Sequence, residues 1–197
     1  DFILAPPVRE GCARVNVMEY ESLTASLTRL TQAKLPVRDG RLELSEGMAF
    51  VAVLNRHGKG TKALGIVKNF GLLEGAVAST VSHDSHNLTI VYHQPEDALA
   101  AARELIRQGG GMTAVKDGAV LHTLRLEVGG LMTKLDAETL TEEAARMKET
   151  ERSLGITAPE NPLLRIVALA LPVIPDVKMS DLGLVSVADQ RILPLFL

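Results

Sequence analysis

Residues 76–93 read Ala76-Val77-Ala78-Ser79-Thr80-Val81-Ser82-His83-Asp84-Ser85-His86-Asn87-Leu88-Thr89-Ile90-Val91-Tyr92-His93. Two apolar runs, Ala76–Val81 and the β-branched Leu88–Tyr92, flank a wholly polar centre. The Asp, Ser and Asn of that centre are residues a tight turn favours. The stretch is therefore two strands joined by a polar tip, Ser82–Asn87.

The chain on either side extends the pattern. Upstream, Met48–Leu54 is a continuous apolar run expected of a buried strand, and it ends in the polar, glycine-rich Asn55-Arg56-His57-Gly58-Lys59-Gly60. Gly65–Phe70 follows it. Arg38-Asp39-Gly40-Arg41 is a turn signal between Leu35-Pro36-Val37 and Leu42-Glu43-Leu44, and Ala13–Tyr20 reads as a further strand. Downstream, Pro95 suits the first turn of a helix, with Glu96 and Asp97 at its positive end. Ala98, Leu99, Ala102, Leu105 and Ile106 are its expected apolar face, and Gly109–Gly111 its stop. Met112–Val115 and Ala119–Leu126 read as strands around Lys116-Asp117-Gly118. Asp136 caps a second helix in which Leu140, Ala144, Met147 and Leu154 recur at helical spacing, and Gly155 ends it. A buried run over Ile166–Ile174 and a segment Val177–Val187 complete the chain. The expected fold is α+β (mixed α/β), predominantly β-sheet with two main helices, in a single domain over residues 1–197.

Composition excludes several classes. With 197 residues and 46% apolar content the chain can bury a substantial core. Its net charge of −3, without a basic stripe, and its lack of Trp argue against nucleic-acid partners. Cys12 is the only cysteine, so neither an internal disulfide nor a cysteine-based zinc site is available, and a reducing cytoplasm suits it. The N-terminal residues do not read as a signal peptide. Ile166–Ile174 is about half the length that crosses a bilayer, so no membrane association is expected.

The densest chemical constellation is His83, Asp84, His86 and Asn87. Two imidazoles and a carboxylate within four residues suit proton transfer. They also suit part of a metal site, although residues three apart on a strand face opposite ways and a turn must bring the histidines together. A plain hairpin tip, with Asp and Asn bonding their own backbone, is the simpler alternative. In the second constellation, Arg56, His57 and Lys59 lie in a loop whose amides suit an anion. The spacing is not that of a P-loop, because Val53 and Gly60 stand where its first glycine and its hydroxyl residue belong. Gly129-Gly130 is either a turn or a close backbone approach. Pro172-Val173-Ile174-Pro175 fixes a rigid bend, after which Asp176 and Lys178 either pair or face a ligand.

These segments in this order resemble the C-terminal domain of the adenine deaminase family, within the amidohydrolase superfamily. The resemblance is carried by Gly71-Leu72, Glu74–Asn87, Arg56-His57-Gly58, Glu96-Asp97, Gly109–Gly111, Gly130-Leu131-Met132, Leu171–Pro175, Lys178 and Gly183-Leu184-Val185. It spans roughly residues 12–196. It implies hydrolysis of adenine to hypoxanthine and ammonia, with a manganese or iron pair held on a (β/α)₈ barrel preceding this domain. Such a barrel needs about 250 residues, and its His-x-His strand motif is absent here. The resemblance therefore implies a barrel domain or subunit as partner, no metal ligand in this chain, and no activity of this chain alone. Asp84, His83 and His86 are then expected in supporting catalytic roles, and Asn87, Arg56 and His57 in substrate binding. The competing expectation is a free-standing, inactive module that binds a small ligand, or forms homo-oligomers through the surface a barrel would cover.

Overall fold

A computed structural model describes all 197 residues. The strands are β1 (Gly11–Tyr20), β2 (Thr28–Arg38), β3 (Arg41–Leu42), β4 (Met48–Leu54), β5 (Lys62–Lys68), β6 (Ala76–Ser79), β7 (Leu88–Tyr92), β8 (Gly111–Lys116), β9 (Ala119–Arg125), β10 (Val177–Ser180), β11 (Gly183–Ser186) and β12 (Arg191–Leu193). The helices are α1 (Pro95–Gln108), α2 (Ala137–Ser153) and α3 (Leu163–Val167). Nine strands form one sheet in the order β3-β2-β1-β5-β4-β7-β6-β8-β9, and β10-β11-β12 form a second, small sheet. Only the β1–β5 pairing is parallel. The expected α+β, sheet-dominated class with two main helices is what the chain adopts, with α3 as a short addition.

The β6–β7 hairpin, sixth and seventh in that order with strands on either side, has both of its faces covered. Ala76 and Ala78 face α1, whose Ala98, Ala101 and Ala102 let helix and sheet approach closely. Val77 and Val91 face the opposite layer with Met147 of α2, Leu154 at the C-cap of that helix, Ile166 of α3 and Met179 of β10. Gly65 in β5 belongs to the same contact, since a Cβ there would stand 2.8 Å from Met179 Sδ. A side chain at 65 would require the Met179 thioether to move aside.

Both helix ends follow their sequence signals. Pro95 occupies the first turn of α1 and Gly109 closes it in the left-handed conformation. The Asp136 carboxylate accepts the Thr139 N–H at 2.9 Å. The buried stripe of α1 is Ala98, Ala101, Ala102 and Leu105, so Leu99 and Ile106, expected in it, lie outside. The periodicity fixed a stripe but not its centre, and the packed alanines of the sheet draw the small side chains inward.

The expected buried run over Ile166–Ile174 is met at Ile166, Val167, Leu169 and Ala170 and corrected beyond them. It is the end of α3 followed by turns, and Val173 is exposed. Pro172 and Pro175 prevent a regular element from continuing there. Asp176 and Lys178 do not pair. Lys178 is fully buried and donates to the Ser26 carbonyl at 3.1 Å. Burial, with Arg165 nearby, pushes its ammonium down to about 8. Arg165 lies over the Tyr20 ring at 3.8 Å and donates to the carbonyls of Phe70, Ser22, Asn69 and Ala25. It ties loop 21–27 to the segment after β5.

Glu151 of α2 is buried, and its Oε2 has no hydrogen-bond partner. Burial raises its carboxyl to about 8. In the unfolded chain the same group ionises near 4.5, so its contribution to stability is complete below that pH and is lost as pH rises toward 8. The slope is at most about 1.4 kcal/mol per pH unit. Chemical denaturation at pH 5 and pH 8 will show Glu151→Gln gaining stability relative to the parent chain as pH rises. A difference independent of pH would mean that the carboxyl is ionised in the folded state.

Candidate functional site

One end of the large sheet gathers the loops that carry the polar motifs. The end of β4 and the starts of β7 and β5 are paired there, through Leu54 with Leu88 and Leu54 with Lys62. From this end project the Asn55–Thr61 loop, the β6–β7 tip, the 126–133 loop after β9, and the Asp181-Leu182 turn between β10 and β11.

Backbone bonds shape the tip. The His86 N–H donates to the Ser82 carbonyl at 2.7 Å, and the His83 N–H donates to Val167 at 3.2 Å, tying the tip to the end of α3. At the base, the Ser82 and Thr89 hydroxyls are buried and 2.8 Å apart. The turn brings the His83 and His86 rings to 5.3 Å between centroids. His83 and Asp84 are exposed, His86 is half-buried, and Asn87 is buried with its Oδ1 unpartnered. The Ser82 N–H points at His86 Nδ1 at 3.3 Å, which leaves Nε2 as the outward nitrogen. Burial first, then the neighbouring His83 and Arg56, hold His86 below the usual imidazole value, partly offset by Asp84. His86 thus favours the neutral form, able to exchange protons or accept a hydrogen bond.

Arg56 and His57 lie against this tip, and both contact its main chain. Arg56 donates through Nε to the His86 carbonyl and through Nη2 to the Gly129 carbonyl at 2.8 Å. His57 Nε2 lies 2.8 Å from the Ser85 carbonyl. The loop itself is shaped by Asn55, whose Oδ1 accepts the N–H groups of His57 and Lys59 at 2.9 and 3.1 Å. Asn55 Nδ2 and the Thr61 hydroxyl both donate to Asp181 Oδ2. Burial alone would raise the Asp181 carboxyl, but the bonds from Thr61 and Asn55 hold it below its usual value.

The glycine pair resolves as a close approach. Gly110 packs against Gly130, and a Cβ on Gly110 would stand 2.4 Å from Gly130 Cα. Thr80 bridges the two loops, accepting the Gly111 N–H at 2.8 Å and donating to the Gly130 carbonyl at 2.6 Å. Sequence reading did not assign roles to Thr80 or Asp181. Asp181 lies 126 positions from Asn55, and no local spacing announces such a pairing.

Around the polar loops stand exposed apolar side chains. Ile106, Met132 and Leu182 are 76%, 62% and 61% exposed. Ile106 shares with Arg56 the wall of a cavity of about 210 Å³, also lined by Thr80, Leu105 and Gly110. Nowhere in the chain do three or more His, Cys, Asp or Glu side chains converge as metal ligands.

Fold and site together define an α+β domain that presents one polar tip beside apolar surface. Residues 25–191 match the family described as the adenine deaminase C-terminal domain. The chain is 39% identical over 195 residues to adenine deaminase 2 of Carboxydothermus hydrogenoformans, covering 97% of this chain and 34% of that protein. It is 42% identical over 166 residues to adenine deaminase of Halalkalibacterium halodurans and 41% identical over 163 residues to that of Bacillus subtilis, covering 28% of each. This chain belongs to the adenine deaminase C-terminal domain family. It spans about a third of the length of these curated relatives. No helix is long and apolar enough to cross a membrane.

Gly110→Ala tests the loop contact. The new methyl meets backbone and Gly110 has a φ of +120°, so the 126–133 loop must shift. The expected cost is about 2 kcal/mol or more, read as a fall in Tm. Gly118→Ala is the comparison, because Gly118 has φ +75° but open space around its Cβ position. Equal losses in the two variants would mean that backbone conformation, and not the Gly110–Gly130 contact, sets the cost.

Proposed function

We propose that this chain is the C-terminal domain of an adenine deaminase and supports hydrolysis of adenine to hypoxanthine and ammonia from beside the catalytic centre. In that reaction water adds at C6 of the purine, the bond from C6 to the amine breaks, and the nitrogen leaves protonated as ammonia. The manganese or iron pair implied by the family resemblance does not fit the residues here, where no three candidate ligands converge. In this reading the metals belong to an amidohydrolase barrel in the remaining length of the protein, the chain alone is inactive, and the enzyme is cytoplasmic.

What carries the reading is the gathering at one sheet end of the tip, the side chains that hold it, and exposed Ile106, Met132 and Leu182. A polar group beside apolar surface has the composition of a site at a docking contact. The upstream barrel is the partner proposed for that surface. Exposed Asp84 and His83 and the outward Nε2 of His86 are the groups free to relay a proton or orient water and purine. Asn87 offers an unpartnered acceptor at the base of the tip. Arg56 and His57 act on substrate chiefly through the tip backbone they hold, with Arg56 Nη1 outside both of its bonds.

The test is conversion of adenine to hypoxanthine by the full-length enzyme and by residues 1–197 alone. Turnover by the isolated domain with stoichiometric bound metal would sink the reading. Asp84→Asn in the full-length enzyme is expected to lower kcat about tenfold or more, within the range of a lost proton-transfer group. Met132→Glu with Leu182→Glu is expected to loosen the domain contact, seen as faster proteolysis between the two parts. Unchanged kcat in Asp84→Asn and in His83→Ala would remove the tip from the reaction.

A further inference from the structure

We infer that Asp181 is a positioning residue for the tip: a carboxylate on the small sheet that sets the loop which in turn fixes the Ser85–His86 backbone. The inference rests on the reading of the tip as part of the deaminase site.

The chain of contacts is continuous. Asp181 Oδ2 receives both the Asn55 side-chain amide, at 3.2 Å, and the Thr61 hydroxyl. These are the two ends of the 55–61 loop, which are also joined by the Asn55 N–H to the Thr61 carbonyl at 2.9 Å. With Nδ2 held by Asp181, the amide of Asn55 is oriented and its Oδ1 must face the loop interior, where it accepts the N–H groups of His57 and Lys59. That fixes the backbone from which Arg56 and His57 reach out. Their side chains end on three carbonyls, those of Ser85, His86 and Gly129. The link runs from the small sheet to the tip through one loop.

The direction of each bond explains the residue types. Asp181 offers only acceptors, so Asn55 is bound by its amide end and cannot turn over without setting its carbonyl against the carboxylate. Arg56 supplies a planar fork that bonds two carbonyls from separate loops at once, which a lysine ammonium does not reproduce. Asp181 is half-buried in a short turn, away from the main cores, so its removal loosens the loop without hollowing the domain.

The experiment uses the full-length enzyme with Asp181→Ala, Asp181→Asn and Thr61→Val. Amide hydrogen exchange over residues 55–61 and 82–87 reads the positioning directly, with α1 as an internal reference. Asp181→Ala is expected to raise exchange in both segments about tenfold and leave α1 unchanged. It is expected to lower kcat about tenfold with KM within about a factor of two, as small misplacements do. Asp181→Asn is expected to restore most of both, because both bonds fall on one oxygen and an amide carbonyl can take its place. Thr61→Val, which removes one of the two bonds, should lie between. Unchanged exchange in the tip of Asp181→Ala would overturn the positioning role. Raised exchange with unchanged kcat would confirm the positioning and overturn the proposal that the tip serves the reaction.

Discussion

Two-sided burial of the β6–β7 hairpin is the constraint on which the rest of the structure depends. Strands covered on both faces carry apolar side chains at nearly every position, and Ala76–Ala78 and Ile90–Tyr92 do so. The polar residues between them therefore emerge only at the strand ends. Neighbouring strands pair with this hairpin along its length, so their ends stop at the same level. Loops from β4, β5, β8 and β9 then meet the tip without any further device. The site is where it is because the hairpin has nowhere else to put its polar residues.

Holding such a tip still is a separate problem. A six-residue polar loop with exposed His83 and Asp84 buries too little to fix itself. The structure answers with hydrogen bonds from outside the hairpin, to the carbonyls of Ser85 and His86 and from the His83 N–H to Val167. Every one of these uses the tip main chain. The side chains of His83 and Asp84 take no part and stay available. Close packing of Gly110 on Gly130, bridged by Thr80, supplies the opposite wall and places Gly129 within reach of the same guanidinium.

Legibility in the sequence follows the range of each interaction. The strand-tip-strand reading, the Asp136 cap and the Pro95 and Gly109 ends of α1 rest on contacts within a few residues, and local pattern carried them. The polar composition of the tip likewise signals the turn that brings the His83 ring to the His86 ring. Long-range choices were not legible. Nothing local distinguishes Leu105, buried, from Ile106, exposed, since the sequence pattern places both on one apolar face and only the sheet beneath decides between them. Composition alone did not show that Val173 would be exposed, although the prolines flanking it were visible. Asp181 is not legible, because a single acidic residue in a turn is unremarkable until its partner 126 positions away is known. Arg56 and His57 stand out in the sequence, but their proximity to the tip backbone depends on the pairing of β4 with β7.

Ile106, Met132 and Leu182 come from three separate elements, and each is more than half exposed. Chance exposure of single apolar residues is ordinary, and a folded surface is largely apolar in any case. What is less ordinary is their arrangement, since Ile106 borders the cavity that Arg56 enters and Leu182 follows directly on Asp181. These two lie beside residues of the network that holds the tip. A surface that closed over them would also exclude water from around that network and strengthen its hydrogen bonds. Docking and positioning would then reinforce each other: the partner that covers the apolar residues would stiffen the loops that present the tip to it.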